Sequence, residues 1–175
     1  MKAVNLITFL TSLFLVGCSG CGNDHQKSSP APANLEEQLI EMHRKNLQEE
    51  EAIINNYVKK NKLKMETSKT GMRYVIYETS GGLETSEGQD VTFNYEVRLL
   101  DNTLCYSSDI KGPMMFRIGL DDVASGMHEA ALNMRVGDKA TMIFPSRLGY
   151  GLTGDRDRIP TGAILLYDLE LLNAQ

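Results

Sequence analysis

Cysteine and histidine are scarce in this chain, with three residues of each type among 175. His25, His43 and His128 stand far apart in the sequence, show no metal-ligand spacing, and are accompanied by no Ser or Cys nucleophile motif. Cys18 and Cys21 form a C-x-x-C pair, but no second pair and no neighbouring strand-turn-helix pattern supports a zinc or redox site. The sequence therefore predicts no metal site, no catalytic triad and no intramolecular disulfide.

Basic residues and long apolar runs are also in short supply. The 18 Lys and Arg residues face 23 Asp and Glu residues, which gives a net charge of -5 at pH 7. Nucleic-acid-binding surfaces need a basic excess, so we predict no nucleic-acid partner. The apolar run at residues 3–16 is interrupted by Asn and Thr and is too short for a stable transmembrane helix.

The first seventeen residues are instead typical of an export signal, because Lys2 precedes that short apolar run. The tetrapeptide at residues 15–18, Leu-Val-Gly-Cys, is similar to the bacterial lipobox, in which the cysteine becomes the lipidated first residue of the exported protein. We predict a lipoprotein signal peptide at residues 1–17 and a membrane anchor at Cys18.

Residues 18–33 contain almost nothing apolar, so they cannot bury enough surface to offset their ordering entropy, and they predict a flexible tether. Asn34 can then cap a helix with Glu37 in a capping box, and we predict the N-terminal helix over residues 34–62. Two interpretations of its apolar face stay open: a dimerisation arm or partner helix, or a helix that packs on its own domain or acts as a spacer.

Residues 63–175 show the period of two that is typical of β-strands. Apolar residues alternate strictly over residues 91–99, which predicts a strand with one buried face, and Asp101-Asn102 predicts a hairpin turn after it. The further predicted strands are residues 72–78, 104–106, 114–118, 140–144 and 165–171, with a loop at residues 107–113.

A single short helix is predicted in this region, over residues 122–134, with Ser125 available near its start as a cap. The predicted fold class is therefore α+β: an antiparallel half-barrel of five or six strands, wrapped on one short helix and preceded by the long N-terminal helix.

The glycines at residues 149–154 match the pattern G-x-G-x-x-G, but they follow Pro145 and precede an Asp-Arg-Asp-Arg run instead of a helix. A dinucleotide site needs a βαβ unit at this point, so the motif does not indicate one. Asp155 and Asp157 alternate with Arg156 and Arg158, which favours a solvated loop over a cation site. Tyr150 is the exception in the segment, because a tyrosine between two glycines can direct its hydroxyl toward a ligand.

Taken together, the segment from Gly149 to Leu172, the strand at residues 91–99, Asp101-Asn102-Thr103 and Val136-Gly137-Asp138 resemble the FKBP family of peptidyl-prolyl isomerases over about residues 70–173. The resemblance implies an FKBP-like domain at residues 63–175 that needs no cofactor. It also implies that the Ala124 backbone N–H and the Tyr150 hydroxyl hold the carbonyls that flank a proline, with Tyr95 as a wall. The implied substrate-binding residues are Tyr95, Tyr106, Phe116, Val123, Ala124, Met127, Tyr150, Ile159 and Tyr167.

The chain departs from the family pattern at the pocket. Cys105-Tyr106 stands where the family has Phe-Asp, Met127 replaces an aromatic floor, and Tyr167 replaces a phenylalanine. A methionine-lined pocket is softer and less selective than an aromatic one. Two functions follow from the resemblance: a prolyl isomerase that is weak because of Cys105-Tyr106, and a non-catalytic chaperone or scaffold that binds proline-containing segments.

The order of signal, tether, long helix and FKBP-like domain is similar to gliding-motility-associated and other FKBP-type lipoproteins. That likeness implies an outer-membrane lipoprotein on the periplasmic side or the cell surface. Its implied partners are proline-containing envelope proteins that are unfolded or folding, the membrane through Cys18, and possible homodimers through the N-terminal helix.

Overall fold

A computed structural model describes residues 33–175. The predicted signal peptide, lipidation at Cys18 and almost the whole tether lie outside the described residues. No helix within residues 33–175 is long and apolar enough to cross a membrane. The elements in chain order are α1 (Ala33–Lys60), β1 (Glu66–Thr67), β2 (Arg73–Glu78), β3 (Asp90–Leu99), β4 (Leu104–Ser107), α2 (Ser108–Lys111), β5 (Met114–Arg117), α3 (Ser125–Leu132), β6 (Lys139–Phe144), a 3₁₀ turn (Ser146–Leu148) and β7 (Leu165–Ala174).

The long helix α1 ends at Lys60, two residues before the predicted end. The Leu63 N–H donates to the Val58 carbonyl and the Lys62 N–H to the Lys59 carbonyl, which is the Schellman arrangement of a helix C-terminus. Lys62 takes the left-handed conformation that this motif requires, with φ of 54°. At the other end Asn34 lies inside α1 and its side chain accepts a hydrogen bond from Gln38, so it is not the cap that the sequence suggested.

The C-terminal half of α1 packs on the sheet. Ile54 is fully buried in a cluster with Ile143 and Ile164. The Arg73 guanidinium donates to Glu51 and Asn55 of the helix; the Arg73 side chain is only 6% exposed, whereas that of Glu51 is 49% exposed. The helix therefore packs on its own domain over this half. Apolar residues of its first turns remain exposed: Leu35, Leu39, Ile40 and Met42.

All seven strands of the described chain belong to one antiparallel sheet with the order β1-β2-β6-β7-β3-β4, and β5 also pairs with β3. Strand β3 is the organising strand because it pairs with β4, β5 and β7. Its alternation buries one face as the sequence predicted, with Val91, Phe93, Tyr95 and Val97 turned into the core. The predicted α+β class is confirmed, with seven strands where five or six were expected, since the two-residue β1 carries no periodicity.

Helix α3 closes the concave face of the sheet. Its buried residues include Met127, Ala130 and Ala131, which face the core. Gly126 lies so close to the sheet that a Cβ added there would approach the Phe144 ring to 2.6 Å. Helix α3 therefore packs directly on the sheet, and the residues that precede it lie at the edge of this contact.

Local capping differs from expectation at two helices. Ser125 does not cap α3, because Ala124 occupies the cap position and the Ser125 hydroxyl donates instead to the Leu148 carbonyl at 3.5 Å. The predicted loop at residues 107–113 contains the single helical turn α2, whose start is capped by the Ser107 hydroxyl accepting from the Asp109 N–H at 3.1 Å. Both changes lie beside the groove described below.

Candidate functional site

Two adjoining cavities open on the concave face of the sheet. The first, of about 350 Å³, is lined by Met114, Asp122, Val123, Ala124, Met127, Gly149, Tyr150 and Tyr167. The second, of about 410 Å³, is lined by Tyr95, Val97, Tyr106, Lys111, Met114, Tyr150, Asp155, Asp157 and Tyr167. Because Met114, Tyr150 and Tyr167 border both, the cavities are two halves of one depression, which we call the Tyr150 groove.

The floor of the Tyr150 groove is formed by buried side chains. Tyr167 on β7 is 1% exposed, and its ring stacks on Phe144 with a centroid distance of 4.4 Å. Burial raises the pKa of the Tyr167 phenol well above its ordinary value, so the phenol is protonated at neutral pH. Met127 of α3 is also buried and supplies a flexible apolar side chain to the first cavity.

Tyr150 reaches the groove from the loop after the 3₁₀ turn. The Gly151 N–H donates to the Ser146 carbonyl at 2.8 Å and the Gly151 carbonyl accepts from the Gly162 N–H at 3.0 Å, which anchors the loop on both sides. The Tyr150 side chain is half-buried. Burial and the neighbouring Asp155 carboxylate raise the pKa of its phenol, so the hydroxyl remains a hydrogen-bond donor across the physiological range.

Ala124 also lines the first cavity and lies immediately before α3. The turn that leads to it is closed by the Val123 N–H, which donates to the Asp121 carbonyl at 3.0 Å. Among residues 33–175, no protein acceptor pairs with the Ala124 N–H. A donor of this kind at the edge of an apolar cavity is available to a ligand carbonyl.

The rim of the second cavity carries a polar cluster that the sequence did not indicate. The Tyr106 phenol donates to Asp155 and lies 3.2 Å from Asp157, while the Lys111 ammonium stands 4.0 Å from the Tyr106 ring centroid. Burial opposes ionisation of Asp155, but hydrogen bonds from Tyr106 and from the N–H groups of Asp157 and Ile159 outweigh it and lower the pKa of this carboxyl.

Asp155 therefore has a structural role that the sequence reading missed, since the Asp-Arg alternation favoured a solvated loop. Its Oδ1 holds the loop by accepting the Asp157 N–H at 2.9 Å and the Ile159 N–H at 2.8 Å. The signal that could have revealed it is the spacing of Asp155, Asp157 and Ile159, which is the pattern of an Asx-type loop. Tyr106 stands where the family has Asp, and the carboxylate that it contacts at this rim comes from a different segment.

Most of the predicted site residues come together in the groove. Val123, Ala124 and Met127 line the first cavity, Tyr95 and Tyr106 line the second, and Tyr150 and Tyr167 line both. Phe116 and Ile159 border neither cavity. Phe116 is 2% exposed and stacks on Phe93 with a centroid distance of 5.8 Å, and Ile159 is 3% exposed within the same core cluster. Both support the groove from behind.

Cys105, which replaces a pocket phenylalanine of the family, is a free and fully buried thiol. Burial raises its pKa, and the thiol is therefore an inert part of the core. Met114 was not among the predicted binding residues, although it borders both cavities.

Comparison with known proteins agrees with this fold. The family model for FKBP-type peptidyl-prolyl cis-trans isomerase matches residues 81–172, which is more than half of the chain. The chain is 36% identical over 95 residues to peptidyl-prolyl cis-trans isomerase FKBP53 from Arabidopsis thaliana, covering 54% of this chain and 20% of that protein. It is 33% identical over 112 residues to FKBP-type peptidyl-prolyl cis-trans isomerase FkpA from Escherichia coli K12, covering 63% of this chain and 40% of that protein.

Solved structures give the same result. The crystal structure of FkpA from Escherichia coli superposes with a TM-score of 0.63 at 27% identity, covering 86% of this chain and 76% of that chain. The crystal structure of AtFKBP13 gives a TM-score of 0.61 at 27% identity, covering 64% of this chain and 99% of that chain. The chain spans 20% of the length of FKBP53 and 40% of that of FkpA. On the family match and the shared fold, this chain belongs to the FKBP-type peptidyl-prolyl cis-trans isomerase family.

Proposed function

We propose that this chain is a peptidyl-prolyl cis-trans isomerase that acts on proline-containing polypeptides in the Tyr150 groove. One observation carries the proposal: an Ala124 N–H with no acceptor among the described residues and the Tyr150 phenol both border a cavity that the buried side chains of Met127 and Tyr167 also line. Such a cavity has the size for a proline ring and its flanking peptide units. The same observation supports Tyr150 and Ala124 as residues that act on the substrate, and Tyr95, the third, lines the adjoining second cavity.

The chemistry needs no covalent step. Rotation about an Xaa-Pro bond has a barrier of about 18–20 kcal/mol, because the planar amide is stabilised by resonance and water solvates its dipole. A dry cavity removes that water, and the two donors bind the carbonyls of the twisted form. Each 1.4 kcal/mol or so of preferential binding of the twisted form gives about a tenfold faster rotation.

A second candidate is a non-catalytic module that binds proline-containing segments. The observation that favours it is the wall formed by Tyr106, whose phenol is occupied by Asp155 and Asp157. A proline ring could still enter such a groove. However, the wall at Tyr106 would offer no free polar group to the substrate carbonyl while the Xaa-Pro bond rotates. Binding of a proline peptide without acceleration of its isomerisation would identify this function.

The test is an NMR exchange measurement of cis-trans interconversion in an Xaa-Pro peptide with the purified chain. We expect acceleration by the wild type and about a tenfold lower kcat/KM for Tyr150→Phe, since one hydrogen bond to the twisted amide is lost. Tyr74→Phe is the matched control, because it likewise removes one tyrosine hydroxyl, while Tyr74 donates to Glu66 and borders neither cavity. A wild-type rate equal to the uncatalysed rate rules out the enzyme.

We further propose that the chain works in the cell envelope, as an outer-membrane lipoprotein on the periplasmic side or the cell surface. The lipobox-like residues 15–18 support this location, and the clients would be envelope proteins that are folding. The exposed apolar residues in the first turns of α1, such as Leu39 and Ile40, support homodimers through that helix.

The location has its own test. Replacing Cys18 with alanine removes the predicted acylated thiol, so we expect an uncleaved precursor that incorporates no labelled palmitate. Cys21→Ala is the matched control and is expected to be processed like the wild type. Normal processing and labelling of Cys18→Ala would contradict the anchor.

A further inference from the structure

The imidazole of His128 contacts the segment that leads from β5 to Ala124. His128 lies in α3, four residues after Ala124, and its Nδ1 is 2.9 Å from the Gly119 backbone nitrogen. Its Nε2 is 3.1 Å from the Asp121 carbonyl oxygen. The ring also packs edge-on against Phe116 with a centroid distance of 5.4 Å. The His128 side chain thus contacts the segment between β5 and Ala124 at two residues, Gly119 and Asp121.

The hydrogen-bond network assigns the tautomer. A backbone N–H only donates, so Nδ1 must accept from Gly119, and Nε2 then carries the proton that is donated to Asp121. The Asp121 carbonyl also accepts the Val123 N–H at 3.0 Å, the bond that closes the turn immediately before Ala124. His128 therefore acts on the same carbonyl that shapes this turn, and it does so only as neutral imidazole.

We propose that neutral His128 is a positioning residue for the isomerase reaction, because it holds the turn that presents the Ala124 N–H to the substrate carbonyl. The inference deepens the proposed function and rests on it. His128 borders neither cavity and has no contact with the substrate in this role. Protonation of Nδ1 would replace an acceptor with a donor facing the Gly119 N–H, which breaks that contact and releases the turn.

The charged groups around the ring are themselves engaged. Arg117, at the end of β5, pairs with Asp90 at 2.9 Å, and its backbone N–H donates to the Asp121 carboxylate at 2.8 Å. Glu129 on α3 accepts from the Thr70 hydroxyl at 2.6 Å. The exposed Asp122 borders the first cavity and is the remaining carboxylate of the turn. The hydrogen bonds to Gly119 and Asp121 are therefore the contacts by which the His128 imidazole holds the segment before Ala124.

The test compares His128→Ala, which removes both hydrogen bonds, with His128→Asn, whose amide oxygen can still accept the Gly119 N–H but does not titrate. At about pH 8 we expect His128→Ala to lower kcat/KM by about ten- to a hundredfold, since small displacements of a positioned group have effects of that size. His128→Asn keeps the contact with the Gly119 N–H and loses the one with the Asp121 carbonyl, so we expect its kcat/KM to lie between those of the wild type and His128→Ala.

Amide hydrogen exchange gives a readout that does not depend on catalysis. The Gly119 amide should exchange slowly in the wild type and in His128→Asn and rapidly in His128→Ala, with core amides of β3 unchanged as evidence of folding. Unchanged exchange at Gly119, or His128→Ala with wild-type kcat/KM, overturns the positioning role and leaves the isomerase intact. If the wild type has no isomerase activity, the affinity for an Xaa-Pro peptide replaces kcat/KM, and equal affinity of wild type and His128→Ala overturns the inference.

Discussion

Replacing Tyr167 with alanine is expected to lower the free energy of unfolding by about 3–5 kcal/mol, the range for removing a buried aromatic ring from a core. The ring is 1% exposed and stacks on Phe144 at 4.4 Å, so the truncation leaves a cavity that the rigid sheet cannot fill. Because domains are stable by only about 5–15 kcal/mol, this change removes a large share of the margin. Urea denaturation monitored by circular dichroism measures it.

The matched control is Tyr167→Phe, which keeps the ring and removes the hydroxyl. We expect its free energy of unfolding to stay within about 1 kcal/mol of the wild type, since at most one hydrogen bond is lost. Its isomerase rate should be kept, because a phenylalanine leaves the apolar floor intact. Equal stability of the alanine and phenylalanine variants would show that the ring does not form the floor.

Replacing Gly154 with alanine is expected to disorder the loop that carries Tyr150. Gly154 has a φ of 64°, and a Cβ there would lie 2.2 Å from the Ile159 carbonyl oxygen. Backbone atoms cannot move aside as a flexible side chain can, so the hydrogen bonds between Asp155 and Ile159 must open. We expect a loss of about 2–4 kcal/mol in stability and more than about tenfold in kcat/KM.

Gly151→Ala separates the effect of the positive φ from the effect of the steric clash. Gly151 also has a positive φ, of 60°, but a Cβ at this position meets nothing within 4 Å. We expect it to cost about 1 kcal/mol, the conformational penalty alone, and to leave kcat/KM within about threefold. Peptide NMR exchange and thermal unfolding of both variants measure the difference. Identical behaviour of the two would mean that close packing against Ile159 does not hold the loop.

The alternation of apolar residues was sufficient to predict the central strands. In β3 each inward residue from Val91 to Val97 is buried because a period of two places them on one face of a pleated strand. The last strand was predicted for the same reason, whereas helix α3 was predicted from the helical spacing of its apolar residues Met127, Ala130 and Ala131. The two-residue β1 and the single turn α2 were missed, since neither is long enough to show a period and both depend on neighbours distant in the chain.

The candidate site was predicted in part. Tyr150 was indicated by its flanking glycines, and Val123, Ala124, Met127 and Tyr167 also border the first cavity. The contact between Tyr106 and Asp155 joins residues 49 positions apart, so no local pattern could reveal it. Phe116 was expected in the pocket, yet it stacks on Phe93 in the core behind it, because a buried strand position is compatible with either place.

Periodicity and turn chemistry determined from the sequence alone the longer strands and helices, which face of each is apolar, and the main turns. These properties are local, since they depend on backbone geometry and on neighbours a few residues away. Only the tertiary structure decided that the second half of α1 packs on the sheet through Ile54, that Asp155 supports the rim, and that His128 holds the turn before Ala124. Each of these contacts depends on how the elements pack in the folded domain, which no local sequence pattern encodes.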